Sequence, residues 1–283
     1  MEYKQIITAG LLLVSFFSCG NDGGVESVDP PEESCNALIE SAIPTGDFTT
    51  LVWADEFDVD GSPCLENWSY DIGASGWGNN ESQYYTREAD NVKIEDGVLK
   101  ITAKKQLYNG AEYTSARLIT QEKYGFTYGK VEVRAKLPDG GGTWPAIWML
   151  GENISTIGWP ACGEIDIMEH TGNDLGITSS AIHTTSGSGG NPSFVKHYDK
   201  VDDVATAFHV YGINWTAEKI EFTVDGVVKG TYQKPTDSTS SNWPFYQDQF
   251  LILNLAMGGT LGGDIDPDFT ESTMEVDYVR VYQ

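Results

Sequence analysis

Apolar and polar residues alternate along most of the chain from Phe48 onward, which is the pattern of half-buried β-strands. Gly129 to Leu137 places apolar residues on one face and charged residues on the other, and Met274 to Tyr282 alternates again. Asp-Gly pairs at 96–97 and 225–226 join such segments and predict tight hairpins. Phe250 to Leu253 is continuously apolar, as in a strand buried on both sides. The pattern predicts an all-β fold built as a β-sandwich.

Residues 163–170, Gly-Glu-Ile-Asp-Ile-Met-Glu-His, bring three carboxylates into one predicted strand. Because side chains alternate along a strand, Glu164 and Asp166 share one face and the two isoleucines share the other. Strict alternation would turn Glu169 toward the core, where a lone charge is costly. One extra residue at Ile167–Met168, a β-bulge, would return Glu169 to the face of Glu164, and bulges are common beside active sites.

With the bulge counted as one step, Glu164 and Glu169 lie roughly 13 Å apart at Cα, and inward-leaning side chains close most of that distance. Their carboxyl groups could then approach the ~5–5.5 Å separation of a retaining glycosidase, while the inverting geometry of ~6.5–9.5 Å stays open. Asp166 between them would hydrogen-bond the nucleophile and help to separate the two pKa values. The alternatives are a solvated acidic strand face and a calcium or manganese site, which nearly collinear carboxylates would surround poorly.

Three tryptophans lie just before this strand and can reach its open face: Trp144, Trp148 and Trp159. Sugars offer flat C–H faces and hydroxyl groups, so a sugar site needs aromatic platforms and planar polar groups. A single tryptophan is more often part of a core, but three of them this close to three carboxylates favour a carbohydrate cleft.

The formal net charge of −25 describes a strongly acidic surface. Such a surface repels nucleic acid, anionic lipid and sulfated or carboxylated polysaccharides, so a neutral polysaccharide is the easier substrate. Residues 1–18 read as an export signal, with Lys4 before the apolar run 6–17, which is too short to span a bilayer. The run ends at Ser18-Cys19, which looks like a lipoprotein junction that anchors the exported protein to a membrane through acylated Cys19. Cleavage elsewhere, giving a secreted protein, is the alternative.

Residues 19–45 are predicted to be a flexible tether, since residues 20–35 are rich in Gly, Asp, Glu, Pro and Ser. Export implies an oxidising compartment, in which Cys35 and Cys64 are able to form a disulfide. Cys162 has the strand parity of Glu164, and a buried free thiol is the preferred interpretation.

The string Glu-Ile-Asp-Ile-Met-Glu at 164–169 resembles the signature of glycoside hydrolase family 16 in its bulged, laminarinase-like form. The resemblance covers about residues 48–283 and implies a jelly-roll sandwich with the substrate cleft across its concave sheet. The catalytic domain is accordingly placed at 46–283. Within it, Glu164 is expected to be the nucleophile, Glu169 the acid/base and Asp166 the assisting residue.

Further segments match the family in the same order. The three tryptophans match positions that flank the cleft, Asn80 matches an Asn offered to sugar hydroxyls, and Arg117 matches an Arg near the same subsites. His183 matches a substrate-contacting His beside the acid/base. The alternatives are a surface turn for Asn80, a surface ion pair for Arg117 and a structural His183. Asn254 interrupts a buried apolar strand and therefore needs partners, which a cleft wall provides.

Glu56, the backbone carbonyl of Gly97 and Asp277 match the family's structural calcium site on the convex side, and hard cations take such oxygen ligands. No redox or organic cofactor is implied for catalysis.

The combined expectation is an exported, monomeric, retaining endo-hydrolase of β-1,3 bonds in laminarin-like β-glucans. The alternative within the enzyme class is a mixed-linkage β-1,3/1,4-glucanase. The alternative from another class is a non-catalytic surface glycan-binding protein, which has no need for both Glu164 and Glu169. Agar and carrageenan hydrolysis, also found in the family, fit poorly with the acidic surface and the loop at 77–83.

Overall fold

The computed structural model describes residues 47–197 and 201–283. The predicted export signal, the tether and Cys35 lie outside these residues and stay predictions. Cys64 is disulfide-bonded. Cys162 is a buried free thiol, which confirms its prediction, and burial raises the pKa of this thiol to about 11.

The described chain is almost entirely β-structure, as the alternating pattern predicts. The strands are β1 (Leu51–Asp55), β2 (Ser69–Tyr70), β3 (Gln83–Tyr85), β4 (Val92–Glu95), β5 (Val98–Tyr108), β6 (Ala111–Ser115), β7 (Arg117–Ile119), β8 (Gly125–Phe126), β9 (Gly129–Lys136), β10 (Thr143–Gly151), β11 (Glu164–His170), β12 (Thr178–His183), β13 (Phe194–His197), β14 (His209–Trp215), β15 (Lys219–Val224), β16 (Val227–Gln233), β17 (Gln249–Met257) and β18 (Glu271–Tyr282). Two single-turn helices, α1 (Ile154–Ile157) and α2 (Gly259–Gly262), complete the described elements.

The strands form two sheets that pack face to face as a β-sandwich. The ten-stranded sheet has the order β16-β15-β14-β9-β18-β5-β6-β3, with β1 beside β18 and β4 beside β5. The eight-stranded sheet has the order β13-β12-β11-β10-β17-β7-β2, with β8 beside β17. In this second sheet β10 is the shared neighbour of β11 and β17, with antiparallel pairing on both sides. Strands from distant parts of the chain therefore meet at the centre of the eight-stranded sheet, where the candidate site lies.

Apolar side chains from both sheets fill one common core. The alternating residues Val131, Val133 and Ala135 of β9 enter it from the larger sheet, and Leu251 and Leu253 of β17 enter it from the smaller one. Each such buried Val or Leu side chain stabilises the fold by roughly 1.5–3 kcal/mol relative to an exposed one. Strand β17 is buried along its whole length, which confirms the prediction from its apolar run.

Both predicted Asp-Gly hairpins are present, one joining β4 to β5 and the other joining β15 to β16. Asp96 and Gly97 have φ values of 57° and 72°, and Asp225 and Gly226 have φ values of 50° and 73°. Glycine adopts positive φ without steric cost and aspartate tolerates it, so this dipeptide suits the two-residue turn.

Candidate active site

A β-bulge in β11 brings the three carboxylates onto one face of the eight-stranded sheet, as predicted. Along β12, Asp166 pairs with Ala181 and Glu169 pairs with Ser179, so three steps on β11 oppose two on β12. The pairing of β11 with β10 shifts at the same place, between Ile147 and Trp148 of β10. The bulge therefore places the Glu169 side chain on the same face as Glu164, whereas strict alternation would turn it toward the core.

The other face of β11 explains why the bulge is stable. Ile165, Ile167 and Met168 all lie in the hydrophobic core, so the extra residue adds apolar burial on the core side. The Ser180 hydroxyl of β12 donates a 2.7 Å hydrogen bond to the carbonyl oxygen of Ile167. This bond supplies a partner for a backbone acceptor within the interrupted ladder.

Glu164 has partners on two sides. The Trp159 indole N–H donates a 2.7 Å hydrogen bond to Glu164 Oε2, and His183 Nε2 lies 3.7 Å from Glu164 Oε1. The same His183 nitrogen lies 3.2 Å from Asp166 Oδ2. The side chain of Glu164 is 15 % exposed and that of Asp166 is 6 % exposed, so both carboxyl groups are largely removed from water.

His183 presents an N–H to these carboxylates. Its Nδ1 accepts a 3.1 Å hydrogen bond from the backbone N–H of Gly189. In a neutral imidazole the other nitrogen must then carry the proton, so Nε2 is the donor that faces Asp166 and Glu164. The Ser- and Gly-rich segment after β12 thus fixes the tautomer of a residue at the centre of the site.

Burial is the largest cause of raised pKa values in this cluster. It raises the pKa of Glu164 to about 8, and the neighbouring charge of Asp166 adds to the rise. It also raises the pKa of Asp166 well above its usual range, with the charge of Glu169 as the second cause. Desolvation disfavours the charged form of an acid, and nearby like charges do the same.

Asp166 and Glu164 hydrogen-bond to each other, and two carboxyl groups can do so only when one of them is protonated. Trp159 and His183 both stabilise the anion on Glu164 and lower its pKa. The two carboxyl groups therefore share one proton, and the contacts with Trp159 and His183 favour the charged form of Glu164.

Glu169 lies in a separate environment on the same face. Burial raises its pKa, while electrostatic attraction to His183 and a hydrogen bond from Trp144 lower it. The Trp144 indole N–H donates to Glu169 Oε1 over 3.2 Å. The two outer carboxyl groups thus each receive a hydrogen bond from one of the tryptophans predicted to flank the cleft.

Trp148, Arg117 and Trp77 form a layered wall beside the carboxylates. The Arg117 guanidinium lies over the Trp148 ring at 4.7 Å and over the Trp77 ring at 5.0 Å. Its Nε also pairs with Asp71 Oδ2 at 2.9 Å. The side chain of Arg117 is only 12 % exposed, so it forms a cation–π layer within this wall as well as an ion pair. Trp148 lies opposite Asp166 in the β10–β11 register, which places the wall next to β11 and its carboxyl groups.

The remaining predicted sugar contacts occupy different environments. Asn254 has the partners that its burial demands, because its Oδ1 accepts from Trp148 Nε1 at 2.7 Å and its Nδ2 donates to the Tyr85 hydroxyl at 3.0 Å. Asn80 is exposed in the loop before β3 and has a positive φ of 57°. Trp159 is 48 % exposed, and its indole is the most accessible of the three predicted tryptophans.

Sequence reasoning missed Tyr85, Glu81 and Asp71, which support the wall. Tyr85 is fully buried and lies in a segment whose pattern indicates only a strand. Asp71 is the partner of Arg117, and only the fold brings the two together. The sequence contains only an indirect signal for these supporting residues, because a buried Asn and a partly buried Arg both require partners.

Two groups of residues offer possible metal ligands. Atoms of Glu164, Asp166 and His183 lie within 4.8 Å of one another, but Nε2 of His183 carries the ring proton in the neutral tautomer that the Gly189 amide selects, so this nitrogen has no lone pair for a metal. At the predicted calcium site, Arg280 binds both oxygens of Glu56 at 2.7 and 2.8 Å, and Arg134 binds Asp277 at 2.6 Å. Both carboxylates are thus neutralised by arginine, so these residues as placed do not form an open cation site with Gly97. The calcium ion stays a prediction.

Two carboxyl groups on one face of a β-sandwich, each held by an indole donor and with a third carboxyl group between them, form the arrangement of enzymes that hydrolyse glycosidic bonds. The sequence profile of Glycosyl hydrolases family 16 matches residues 79–280. The chain belongs to this family, and its fold is the jelly-roll sandwich that the resemblance implied.

Similar proteins extend this match to most of the catalytic domain. The chain is 45% identical over 248 residues to a β-glucanase from Rhodothermus marinus, covering 82% of this chain and 85% of the relative. The crystal structure of a laminarinase from Flavobacterium sp. UMI-01 has a TM-score of 0.77 and 42% identity, over 83% of this chain and all of that one. SCLam, described as a non-specific endo-β-1,3(4)-glucanase, has a TM-score of 0.77 and 41% identity, over 86% and 93% of the two chains.

Proposed function

We propose that this protein is a retaining endo-hydrolase of β-1,3-glucosidic bonds in laminarin-like β-glucans. The observation that carries the proposal is the bulged strand β11, which places Glu164, Asp166 and Glu169 on one open face. Similarity to laminarinases supports the linkage, and the net charge of −25 favours a neutral glucan over a sulfated polymer.

In the first half of the reaction Glu169 acts as the acid. It donates its proton to the glycosidic oxygen while the Glu164 carboxylate attacks the anomeric carbon, so that the carbon–oxygen bond to the leaving sugar breaks and a glycosyl ester on Glu164 forms. Burial raises the pKa of Glu169, which helps it to hold that proton. Asp166 holds its own proton toward Glu164 and so orients the attacking group.

In the second half Glu169, now ionised, acts as the base. It takes a proton from a water molecule whose oxygen attacks the same carbon, and the ester bond to Glu164 breaks. The hydrogen bond from Trp159 and the N–H of His183 stabilise the departing carboxylate of Glu164. Two displacements at one carbon retain the β configuration.

A mixed-linkage β-1,3/1,4-glucanase is the second candidate, and similarity to SCLam favours it. A non-catalytic glycan-binding protein would not require a proton-sharing nucleophile pair and a third, separately held acid, so the intact cluster argues against it.

The test is a product profile on laminarin, mixed-linkage β-glucan and agarose, with Glu164→Gln as the matched control. The wild type should cut laminarin into a ladder of oligosaccharides and leave agarose intact, while the control should lose turnover. Faster cleavage of mixed-linkage glucan would assign the second candidate. Absence of β-1,3 cleavage, or release of glucose alone from chain ends, would contradict the proposal.

Export and lipid anchoring form a separate part of the proposal, supported by Lys4, the apolar run 6–17 and Cys19. Residues 47–197 and 201–283 contain no helix with the length and apolar character needed to cross a bilayer. The enzyme is expected to act as a monomer held to the membrane through Cys19 and the tether.

A further inference from the structure

A chain of hydrogen bonds runs from the cleft wall to an acidic residue in the loop before β3. Trp148 Nε1 donates to Asn254 Oδ1 at 2.7 Å, Asn254 Nδ2 donates to the Tyr85 hydroxyl at 3.0 Å, and that hydroxyl donates to Glu81 Oε2 at 3.1 Å. The four groups come from β10, β17, β3 and the loop, so the chain ties together segments that are remote in sequence. We call it the Glu81 relay.

The direction of the relay is fixed by its acidic end. The single proton of the Tyr85 hydroxyl goes to the Glu81 carboxylate, so the same oxygen can only accept from Asn254. The amide of Asn254 must then turn its Nδ2 toward Tyr85 and its Oδ1 toward Trp148. A flipped amide would place its N–H groups against the indole N–H, which leaves a buried donor without a partner.

Glu81 is itself held in place. Gln83 Nε2 donates to Glu81 Oε2 at 2.7 Å and Asn79 Nδ2 donates to Glu81 Oε1 at 3.3 Å. Gln83 is fully buried, and its Oε1 accepts the backbone N–H of Met257 at 2.8 Å. The relay therefore ends on an anchored carboxylate, and a satisfied buried network of this kind rigidifies what it touches.

Tyr85 contacts the wall at a second point. Its ring lies 5.3 Å from the ring of Trp77, and the Arg117 guanidinium lies over the rings of both Trp77 and Trp148. One buried tyrosine thus supports both aromatic layers, through its hydroxyl toward Trp148 and through its ring against Trp77.

We propose that Tyr85 and Glu81 are positioning residues that fix the orientation of Trp148 and thereby set the affinity of the cleft for a glucan chain. They touch neither the reacting atoms nor the catalytic carboxyl groups, so they act on substrate binding and leave bond cleavage unchanged. This inference rests on the proposed function, because the glucan is the ligand of the wall.

The test compares Tyr85→Phe with Tyr84→Phe. The first variant keeps the ring contact with Trp77 and removes the hydroxyl, and the second removes a hydroxyl from the neighbouring residue, whose ring packs on Tyr108 at 5.1 Å. In Tyr85→Phe, KM for laminari-oligosaccharides should rise about 2- to 10-fold with kcat nearly unchanged, the effect expected for one lost orienting hydrogen bond. Tyr84→Phe should change neither constant.

A second readout is independent of turnover. The indole N–H resonance of Trp148, assigned by nitrogen-15 labelling, should shift in Tyr85→Phe and stay in place in Tyr84→Phe. Glu81→Gln should give the same KM increase, because the glutamine amide both donates and accepts hydrogen bonds and so cannot impose one direction on the relay. If Tyr85→Phe does not fold, the KM of Glu81→Gln tests the inference in its place.

Several results would overturn the inference. One is an unchanged KM in both relay variants, and another is an equal change in Tyr84→Phe. A loss of kcat with constant KM would place the effect of Tyr85 on bond cleavage and would contradict its role in substrate binding. Failure of the wild type to cleave laminarin would instead contradict the proposed function, and the Trp148 resonance would still decide whether the relay orients the wall.

Discussion

Replacing Trp159 with phenylalanine should move the acidic limb of the pH–activity profile to higher pH. The variant keeps an aromatic ring beside the cleft but removes the indole N–H that donates to Glu164 Oε2 at 2.7 Å. That hydrogen bond lowers the pKa of Glu164. Without it the carboxyl group needs a higher pH to ionise, and only the ionised form attacks the sugar.

The size of the shift follows from the strength of the lost bond. A hydrogen bond to a charged group is worth roughly 1.5–3 kcal/mol, and one pKa unit corresponds to about 1.36 kcal/mol. Trp159 is 48 % exposed, so water weakens its bond and partly replaces it when the indole is removed. We therefore expect the acidic limb to rise by about one pH unit.

Trp144→Phe is the matched variant, because its indole donates to the other catalytic carboxyl group, Glu169, over 3.2 Å. That hydrogen bond lowers the pKa of Glu169. Its loss should raise that pKa and extend the basic limb to higher pH, since Glu169 must be protonated to act as the acid. The longer distance predicts a smaller shift, about half a unit.

The assay is kcat/KM on laminarin from acid to alkaline pH for the wild type and both variants, with circular dichroism to confirm folding. The wild-type acidic limb should already lie well above the ordinary Glu value of 4.5, because burial raises the pKa of Glu164. Trp159→Phe should move only the acidic limb and Trp144→Phe only the basic limb. Interchanged effects would refute the assignment of nucleophile and acid, and unshifted limbs would refute the role of the indoles.

Four further changes test other parts of the account. Glu169→Ala should lose on the order of 10²–10⁴-fold in rate on laminarin and less on an activated aryl glycoside, and equal losses would count against its role as the acid. Deleting Met168 should leave a less stable enzyme with measurable laminarin turnover, since 164–168 would then alternate without a bulge; a folded but inactive deletion would contradict this. Asp166→Asn should slow turnover yet raise Tm at pH 8, because burial raises the folded-state pKa of Asp166 and its ionisation therefore destabilises the fold as pH rises. The gain should vanish below about pH 3, where the carboxyl group is protonated in both the folded and the unfolded state. Cys19→Ser should release the protein from the membrane fraction with unchanged activity, and a wild type already soluble outside the cell would argue against the lipid anchor.

The sheet face that carries the three carboxyl groups could be predicted because local rules are strong there. Alternation assigns Glu164 and Asp166 to one face, and the high cost of burying a lone carboxylate assigns Glu169 to the same face through a bulge. The structure contains that bulge at the expected residues. The Asp-Gly hairpins were predictable for the same reason, since a two-residue turn needs positive φ at both positions and the Asp-Gly dipeptide adopts it readily.

The support behind the site could not be predicted, because it depends on which strands become neighbours. Asn254 clearly required partners, but Tyr85 lies 169 positions away in the chain. The Gly189 amide that fixes the tautomer of His183 belongs to a segment with no periodic pattern. At the predicted calcium site the family resemblance singled out Glu56 and Asp277, while their arginine partners, Arg280 and Arg134, became visible only with the fold.

The central claim is that Glu164 attacks the sugar directly and that hydrolysis proceeds with retention. The most direct measurement is the anomeric configuration of the newly formed reducing end, followed by proton NMR in the first minutes after wild-type enzyme is mixed with a laminari-oligosaccharide. With retention, the β-anomer should appear first and the α-anomer should grow in only by mutarotation. Initial release of the α-anomer would show a single displacement by water and would contradict the role of Glu164 as nucleophile.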